Sequence, residues 1–280
     1  MKSTTNFDQI YNEMFNQIYD YGQWSSDKVR TRYADNTPAL RKQILGYSFR
    51  FDNSTDTPPI ITSRYAPIKS AVSELYWIWF MRSNKVQDLR DLGCKFWDEF
   101  EMSDGTIGHA YGAVLADPVF HYNNQVEYIL DLIQNQPDST RIITDLWDAP
   151  NLHRMSLTPC VYRTSWSVFG DTLNLKVNQR SCDFALGLVS NVYQYSVLHK
   201  VVANHCELKS GDLIWDIDNL HYYDRHEANL IKQFEKYNKE FNVDKPRLEI
   251  IKSSFDEFKP SNVILHDYTY LQKLSYEIAI

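Results

Sequence analysis

Four cysteines in 280 residues, Cys94, Cys160, Cys182 and Cys206, stand far apart and form no C-x-x-C pair. Neither a disulfide framework nor a cysteine zinc site can be built from that spacing, so a thiol that matters here acts singly. Glycine (9) and proline (10) are sparse and scattered rather than gathered into a linker, and no internal repeat is visible. The chain therefore reads as one domain over residues 1–280. Long apolar runs are missing too. The longest, Leu75 to Met81, falls well short of the roughly 18 residues of a membrane span, and the opening MKSTTNFDQI lacks a signal-peptide core, so a cytoplasmic protein is expected. Positive charge is in deficit, with 29 Lys and Arg against 36 Asp and Glu. A net charge of −7 supplies no general attraction to nucleic acid or to an anionic membrane. An anionic ligand must instead meet a local cluster of arginines.

What the chain has in quantity is apolar and aromatic surface: hydrophobic residues make up 43%, with 7 Trp, 19 Tyr and 14 Phe. A chain of this size buries roughly 70–75% of its unfolded surface, so its stability can rest on a core. Phe7, Ile10, Tyr11, Met14, Phe15, Ile18 and Tyr19 recur at helical spacing, with Gly22 closing the run. Gln43 to Phe51 alternates like a half-buried strand. After Pro67, a favourable first helical residue, Ile68 to Met81 is apolar around most of its circumference and predicts a buried helix with Glu74 inside it. Strands are predicted at Arg141–Trp147, Pro159–Val168, Thr172–Ser181, Asp212–Asp216 and Arg247–Lys252, with a tight turn at Phe169-Gly170-Asp171. Between them Val192, Tyr195, Leu198, Val201 and Val202 mark a second buried helix, with Ser190 or Asn191 as its cap. The fold class is α+β: a mostly antiparallel or mixed sheet layered with helices.

Several residue types stand out against that background. Cys160, in TPCVY, follows a proline that fixes the chain. A lone cysteine in an apolar strand is most often a small core hydrophobe. Gln179-Arg180-Ser181-Cys182-Asp183 on the next strand changes the weighting, because a guanidinium beside a thiol favours thiolate and also offers a fork for phosphate. Glu74 either reaches solvent on a narrow polar strip or sits in a low-dielectric pocket that raises its pKa towards proton transfer. Asn191 carries one donor and one acceptor suited to a ligand edge, although such an asparagine commonly only caps a helix. His221 and Tyr223 alternate in DNLHYYDRH. His221 and His226 lack carboxylates at ligand spacing, so no metal is expected.

Taken in order, VRTR (29–32), ELYWIW (74–79), FWDEF (96–100), GTIGHAYG (105–112), DSTRIITDLW (138–147), MSLTPCVY (155–162), NQRSCDFALGLVSN (178–191), DIDNLHYYDRH (216–226) and the terminal YEIAI resemble the folate-dependent thymidylate synthase family, in its longer bacterial branch. The resemblance runs from Val29 to Ile280. It implies that Cys160 is the nucleophile adding to C6 of dUMP, with Glu74 and Tyr111 serving the proton transfers. It implies that Arg180, Ser181 and one of Arg30 or Arg32 hold the 5′-phosphate beside Gln179, that Asn191 reads the uracil edge, and that His221 and Tyr223 bind the sugar hydroxyl. Trp97, Asp183, Leu186, Gly187 and Ile280 match positions that hold or close over 5,10-methylenetetrahydrofolate, and Arg64 matches a basic position near the folate tail. In the family the arginine matching Arg141 comes from the opposite subunit, which implies a homodimer.

The chain departs from the pattern in places. Thr140 stands where most members carry a second arginine, so a raised requirement for dUMP is expected unless Arg154 or Arg163 substitutes. Val161 replaces a common histidine, and Asp218-Asn219 stands where Gly-Asp is usual. A sister activity, pyrimidine deoxynucleotide hydroxymethylation, builds the same covalent adduct and then admits water in place of hydride. Two other readings are a cysteine hydrolase pairing Cys160 with His221 and a non-catalytic binding protein that retains the fold.

Overall fold

The computed structural model describes residues 6–240 and 245–280. Its strands are β1 (Gln23–Trp24), β2 (Arg41–Asp52), β3 (Ile143–Asp145), β4 (Val161–Phe169), β5 (Thr172–Asp183), β6 (Lys209–Tyr223), β7 (Arg247–Ile250) and β8 (Val263–His266). The first six form one sheet in the order β1-β2-β6-β5-β4-β3, and β7 and β8 form a separate ladder. Every neighbouring pair is antiparallel except β5 and β6. That parallel pair needs a crossover, and the buried helix between the two strands provides it.

The helices are α1 (Phe7–Tyr21), α2 (Ile68–Leu75), α3 (Val86–Asp91), α4 (Gly112–Leu115), α5 (Gln125–Asn135), α6 (Gly187–His205) and α7 (Glu227–Glu240). The first follows its apolar period. Asn6 Oδ1 accepts the Gln9 N–H at its start, and the Gly22 N–H closes on the Ile18 carbonyl at 2.9 Å. A Cβ on Gly22 would stand 2.3 Å from that carbonyl oxygen, so the end of α1 requires glycine. The predicted Ile68–Met81 helix is realised in two parts, because α2 widens into a π-helical turn over Tyr76–Phe80. Such widening often accompanies a functional site, and Glu74 lies one residue before the end of α2.

Alternation along the central strands sorts the sheet's faces. Leu173, Leu175 and Val177 of β5 and Leu213, Trp215 and Ile217 of β6 are buried against the helices, each such side chain contributing roughly 1.5–3 kcal/mol. The residues that alternate with them, Asn174, Lys176 and Asn178 on β5 and Asp212, Ile214 and Asp216 on β6, stay half-buried or exposed on the other face. The predicted hairpin turn is present, with Gly170 at φ +63° between β4 and β5. The short prediction at Asp212–Asp216 proves to be the middle of the 15-residue β6, and Arg141–Trp147 contracts to three strand residues. Helix α6 begins at Gly187, so Ser190 and Asn191 lie in its first turns and neither caps it. Among the described residues no helix is long and apolar enough to cross a membrane.

Candidate active site

The loop ahead of β4, the C-terminal end of β5, the start of α6 and the chain terminus surround a cavity of about 790 Å³. Cys160 sits at its wall, just before β4 rather than inside it. The backbone fixes it from two sides: its carbonyl accepts the Arg180 N–H at 2.7 Å, and its N–H donates to Tyr111 Oη at 2.9 Å. Burial pushes the thiol's pKa up, while the Arg180 charge and a hydrogen bond with Tyr111 draw it down. Arg180 is itself anchored. Its guanidinium donates to the Pro159 carbonyl and to both oxygens of Thr158, and lies 5.5 Å from the centre of the Trp147 ring.

Glu74 reaches the same cavity from α2. Trp97 Nε1–H donates to one carboxylate oxygen and Gln194 Nε2–H to the other, each at 2.5 Å. Burial nevertheless raises its pKa against those two bonds. Tyr111 stands between Cys160 and Trp97, its ring 5.1 Å from that of Trp97 and nearly perpendicular to it. Its backbone is at φ +48°, ψ −104°, a sparsely populated conformation for a non-glycine residue of the kind that collects at functional sites. The preceding loop is tightly held. Gly108, at φ +74°, packs where a Cβ would meet the Arg154 carbonyl, and His109 Nε2 lies 2.9 Å from Asp117 and 3.7 Å from Asp148. Those His109 contacts tie the Tyr111 loop to the segment that carries Trp147.

Strand pairing brings the remaining polar groups to one face. Asp183 and Ser181 of β5 lie opposite His221 and Asn219 of β6, and cross-strand partners project to the same side. Asn219 Oδ1 accepts from His221 Nδ1 at 2.8 Å, while the Asn219 amide donates to Gln43 at 3.0 Å. This assignment leaves His221 Nε2 as an acceptor, and burial holds the ring neutral with its pKa lowered to about 3. Asp183 accepts the N–H groups of Ala185 and Leu186 and shapes the turn into α6. At the far end, Ile280 and Arg32 exchange both backbone hydrogen bonds, and Tyr276, Ile278 and Ala279 line the cavity beside Ile280. Arg64 is buried, donates to the Ala185 and Tyr65 carbonyls and lies 5.0 Å from the Tyr276 ring centre.

Of the residues the sequence singled out, Cys160, Glu74, Tyr111, Trp97, Arg30, Arg180, Ser181, Asp183, Leu186, Gly187, Asn191, His221, Tyr223 and Ile280 all line this cavity. Asn191 has no hydrogen-bond partner for its amide among the described residues. Arg32 does not line it, and neither does Gln179, whose buried amide spans the Ser181 carbonyl and Trp215 Nε1. Arg141 is exposed on the loop before β3 and makes no contact with its own chain's cavity. Sequence reading passed over Gln194, although it lies three residues beyond Asn191 on the same helical face, and over Arg41, which only strand register brings to the site.

Sheet, crossover helix and cavity together define the class, an α+β protein whose cavity carries a cysteine, two carboxylates and several arginines. A sequence model of the family described as Thymidylate synthase matches residues 9–280. A thymidylate synthase of Fusobacterium nucleatum is 50% identical over 274 residues, covering 98% of each chain. One from Bacillus mojavensis is 39% identical over 284 residues, covering 99% of this chain and all of that protein. The solved structure of thermostable thymidylate synthase A from Bacillus subtilis superposes with a TM-score of 0.90 at 38% identity, covering 99% of this chain. The chain belongs to the thymidylate synthase family. It is accordingly a methyltransferase of dTMP biosynthesis, in a family that acts on dUMP with methylenetetrahydrofolate.

Proposed function

We propose that this chain, acting as a single domain over residues 1–280, reductively methylates dUMP to dTMP through a covalent bond between Cys160 Sγ and C6 of the uracil ring. The observation that carries the reading is a lone thiol fixed between Tyr111 and Arg180 in a cavity shared with a buried carboxylate. Uracil C5 is a poor nucleophile. Addition of the Cys160 thiolate at C6 moves the ring's electrons towards O4 and makes C5 reactive, so that one hard step becomes two easier ones. The Arg180 charge acts against the burial that raises the thiol's pKa. Glu74, held by Trp97 and Gln194, exchanges protons at the ring, while Tyr111 serves the loss of the C5 proton beside it. Methylenetetrahydrofolate supplies the one-carbon unit and then the hydride, leaving as dihydrofolate.

The other contacts follow from chemistry. The unpartnered Asn191 amide matches the acceptor and donor of a uracil edge. His221 Nε2, an acceptor, suits a sugar hydroxyl, with Tyr223 beside it. The phosphate falls to Arg30, Arg180 and Ser181, with Gln179 supporting them from beneath, while Trp97, Asp183, Leu186, Gly187 and Ile280 hold the folate. Arg32 contributes through the backbone pairing that fastens Ile280 over the cavity. Arg141, exposed and turned away from its own cavity, reaches the phosphate of a twin subunit, and the half-open polar sheet face is the surface on which the homodimer forms.

Purified protein given dUMP and methylenetetrahydrofolate should yield dTMP and dihydrofolate, identified by mass analysis, and Cys160→Ser should abolish both. A hydroxymethyl nucleotide with tetrahydrofolate would assign the sister activity instead. Turnover of a thioester or peptide without folate, or no product at all, would refute the proposal.

A further inference from the structure

We infer that Arg41 is a phosphate-contacting residue of this chain, supplying from within the subunit a guanidinium that replaces the one missing at Thr140. The inference rests on the dUMP reading above and concerns how the nucleotide's dianion is held. Arg41 opens β2 directly opposite Tyr223, and Gln43 lies opposite His221. Side chains facing one another across an antiparallel pair share a face, so Arg41 projects to the side that carries the residues proposed for the sugar. It lines the same cavity as Arg30 and Arg180.

Its bonding state points the same way. Among the described residues the Arg41 side chain has no hydrogen-bond or carboxylate partner, and its Nε is buried without an acceptor. Three other arginines are matched to acids, Arg50 to Asp212 at 2.7 Å, Arg90 to Glu101 at 2.6 Å and Arg225 to Asp35 at 2.7 Å. Arg32, Arg50, Arg64 and Arg163 also bury a guanidinium N–H without an acceptor, but of these only Arg64 lines the cavity, and it is engaged by the Ala185 and Tyr65 carbonyls. A buried donor left open is costly unless something fills it. A cationic fork in a cavity, beside two further guanidinium groups, suits a dianionic oxygen cluster. Arg41's charge also reaches both neighbours: it adds to the burial that lowers the pKa of His221, and acts against the burial that raises that of Tyr223.

The alternatives raised by the sequence fit less well. Arg154 is exposed and donates to Asn151 at 3.3 Å, Arg163 stands on β4 opposite Asp145 of β3, and neither lines the cavity. A cation at position 41 comes from the subunit's own sheet, whereas one at position 140 sits beside Arg141, the residue assigned to the twin's site.

The test compares steady-state kinetics for wild type, Arg41→Gln, Arg41→Lys, Thr140→Arg and the Arg41→Gln/Thr140→Arg double variant, with inorganic phosphate as competitive inhibitor. Losing a charge-assisted contact should raise the KM for dUMP and the inhibition constant for phosphate by about 10- to 100-fold in Arg41→Gln. Arg41→Lys, which keeps charge but loses the fork, should fall between. Thr140→Arg should recover about tenfold in the Arg41→Gln background and gain less in wild type, since the two positions serve one anion. Unchanged KM and phosphate inhibition in both Arg41 variants, or a loss confined to kcat, overturns the inference. If Arg41→Gln does not fold, Arg41→Lys and the Thr140→Arg comparison decide. Failure of wild type to methylate dUMP would instead refute the underlying reading.

Discussion

Replacing Glu74 by glutamine separates the carboxylate's chemistry from its burial. In the native site both oxygens accept, one from Trp97 Nε1–H and one from Gln194 Nε2–H, each at 2.5 Å. Glutamine keeps one acceptor and turns an N–H towards one of the two donors. That mismatch costs roughly 1–3 kcal/mol. Against it stands the burial term. Glu74's folded pKa lies above its ordinary value of 4.5, so the folded state binds its proton more tightly than the unfolded chain does. The ionised group therefore costs stability as pH rises above 4.5, and a neutral amide removes that cost. The two effects oppose, so the unfolding free energy at pH 7 should fall by less than the mismatch alone would cost. Catalysis has no such offset. Loss of a positioned acid–base group should slow turnover by about 10²- to 10⁴-fold. The assay is release of tritium from dUMP labelled at C5, run beside dihydrofolate formation and denaturant unfolding. Tritium release within threefold of wild type, from a folded variant, would refute the role assigned to Glu74.

Three further outcomes are expected. His199 is buried between Asn53 Nδ2 at 3.1 Å and the Leu173 carbonyl at 2.8 Å, and its pKa is lowered from 6.5 to about 4. The folded state thus favours the neutral ring. Its stabilising contribution is complete above pH 6.5 and is lost as pH falls towards 4, by on the order of 3 kcal/mol. The difference in unfolding free energy between wild type and His199→Gln should shrink across that window, and a constant difference would contradict the buried neutral ring. Mixing the inactive variants Cys160→Ser and Arg141→Ala should restore dUMP methylation, since one site of the mixed dimer holds Cys160 from one chain and Arg141 from the other. No recovery after subunit exchange would place Arg141 outside the twin's site. Tyr111→Phe leaves the Cys160 N–H without its 2.9 Å acceptor and should destabilise by about 1–3 kcal/mol, measured by thermal unfolding; an unchanged midpoint would show that this bond is dispensable.

Local pattern carried the elements whose surroundings match their period. Helix α1 and the β4–β5 hairpin follow from apolar spacing and a glycine turn, because each buries one regular face. Helix α5 has a start signal that was legible and passed over: Asn124 accepts the Glu127 N–H at 2.9 Å, three residues on. Strand β6 was read short because Asn219 and His221 interrupt the apolar alternation, and they do so as members of the site. The candidate residues were found through the order of their motifs, which reports ancestry more than geometry. Nothing local distinguishes Arg30 from Arg32. Only the folded chain shows Arg30 lining the cavity while Arg32 spends its backbone on Ile280. Arg41 and Gln43 illustrate the same gap. Their meaning depends on pairing with Tyr223 and His221, some 180 residues away in sequence, and no periodicity within β2 encodes that.

The central claim is a sulfur–carbon bond at Cys160. A dUMP analogue fluorinated at C5 cannot lose that substituent as a proton, so the adduct formed with methylenetetrahydrofolate should stall with the ring still attached. Intact-mass analysis followed by peptide mapping should find nucleotide and folate together on the peptide containing Cys160, and none on Cys160→Ser. Absence of a covalent complex, or its recovery on Cys94, Cys182 or Cys206, would contradict the account.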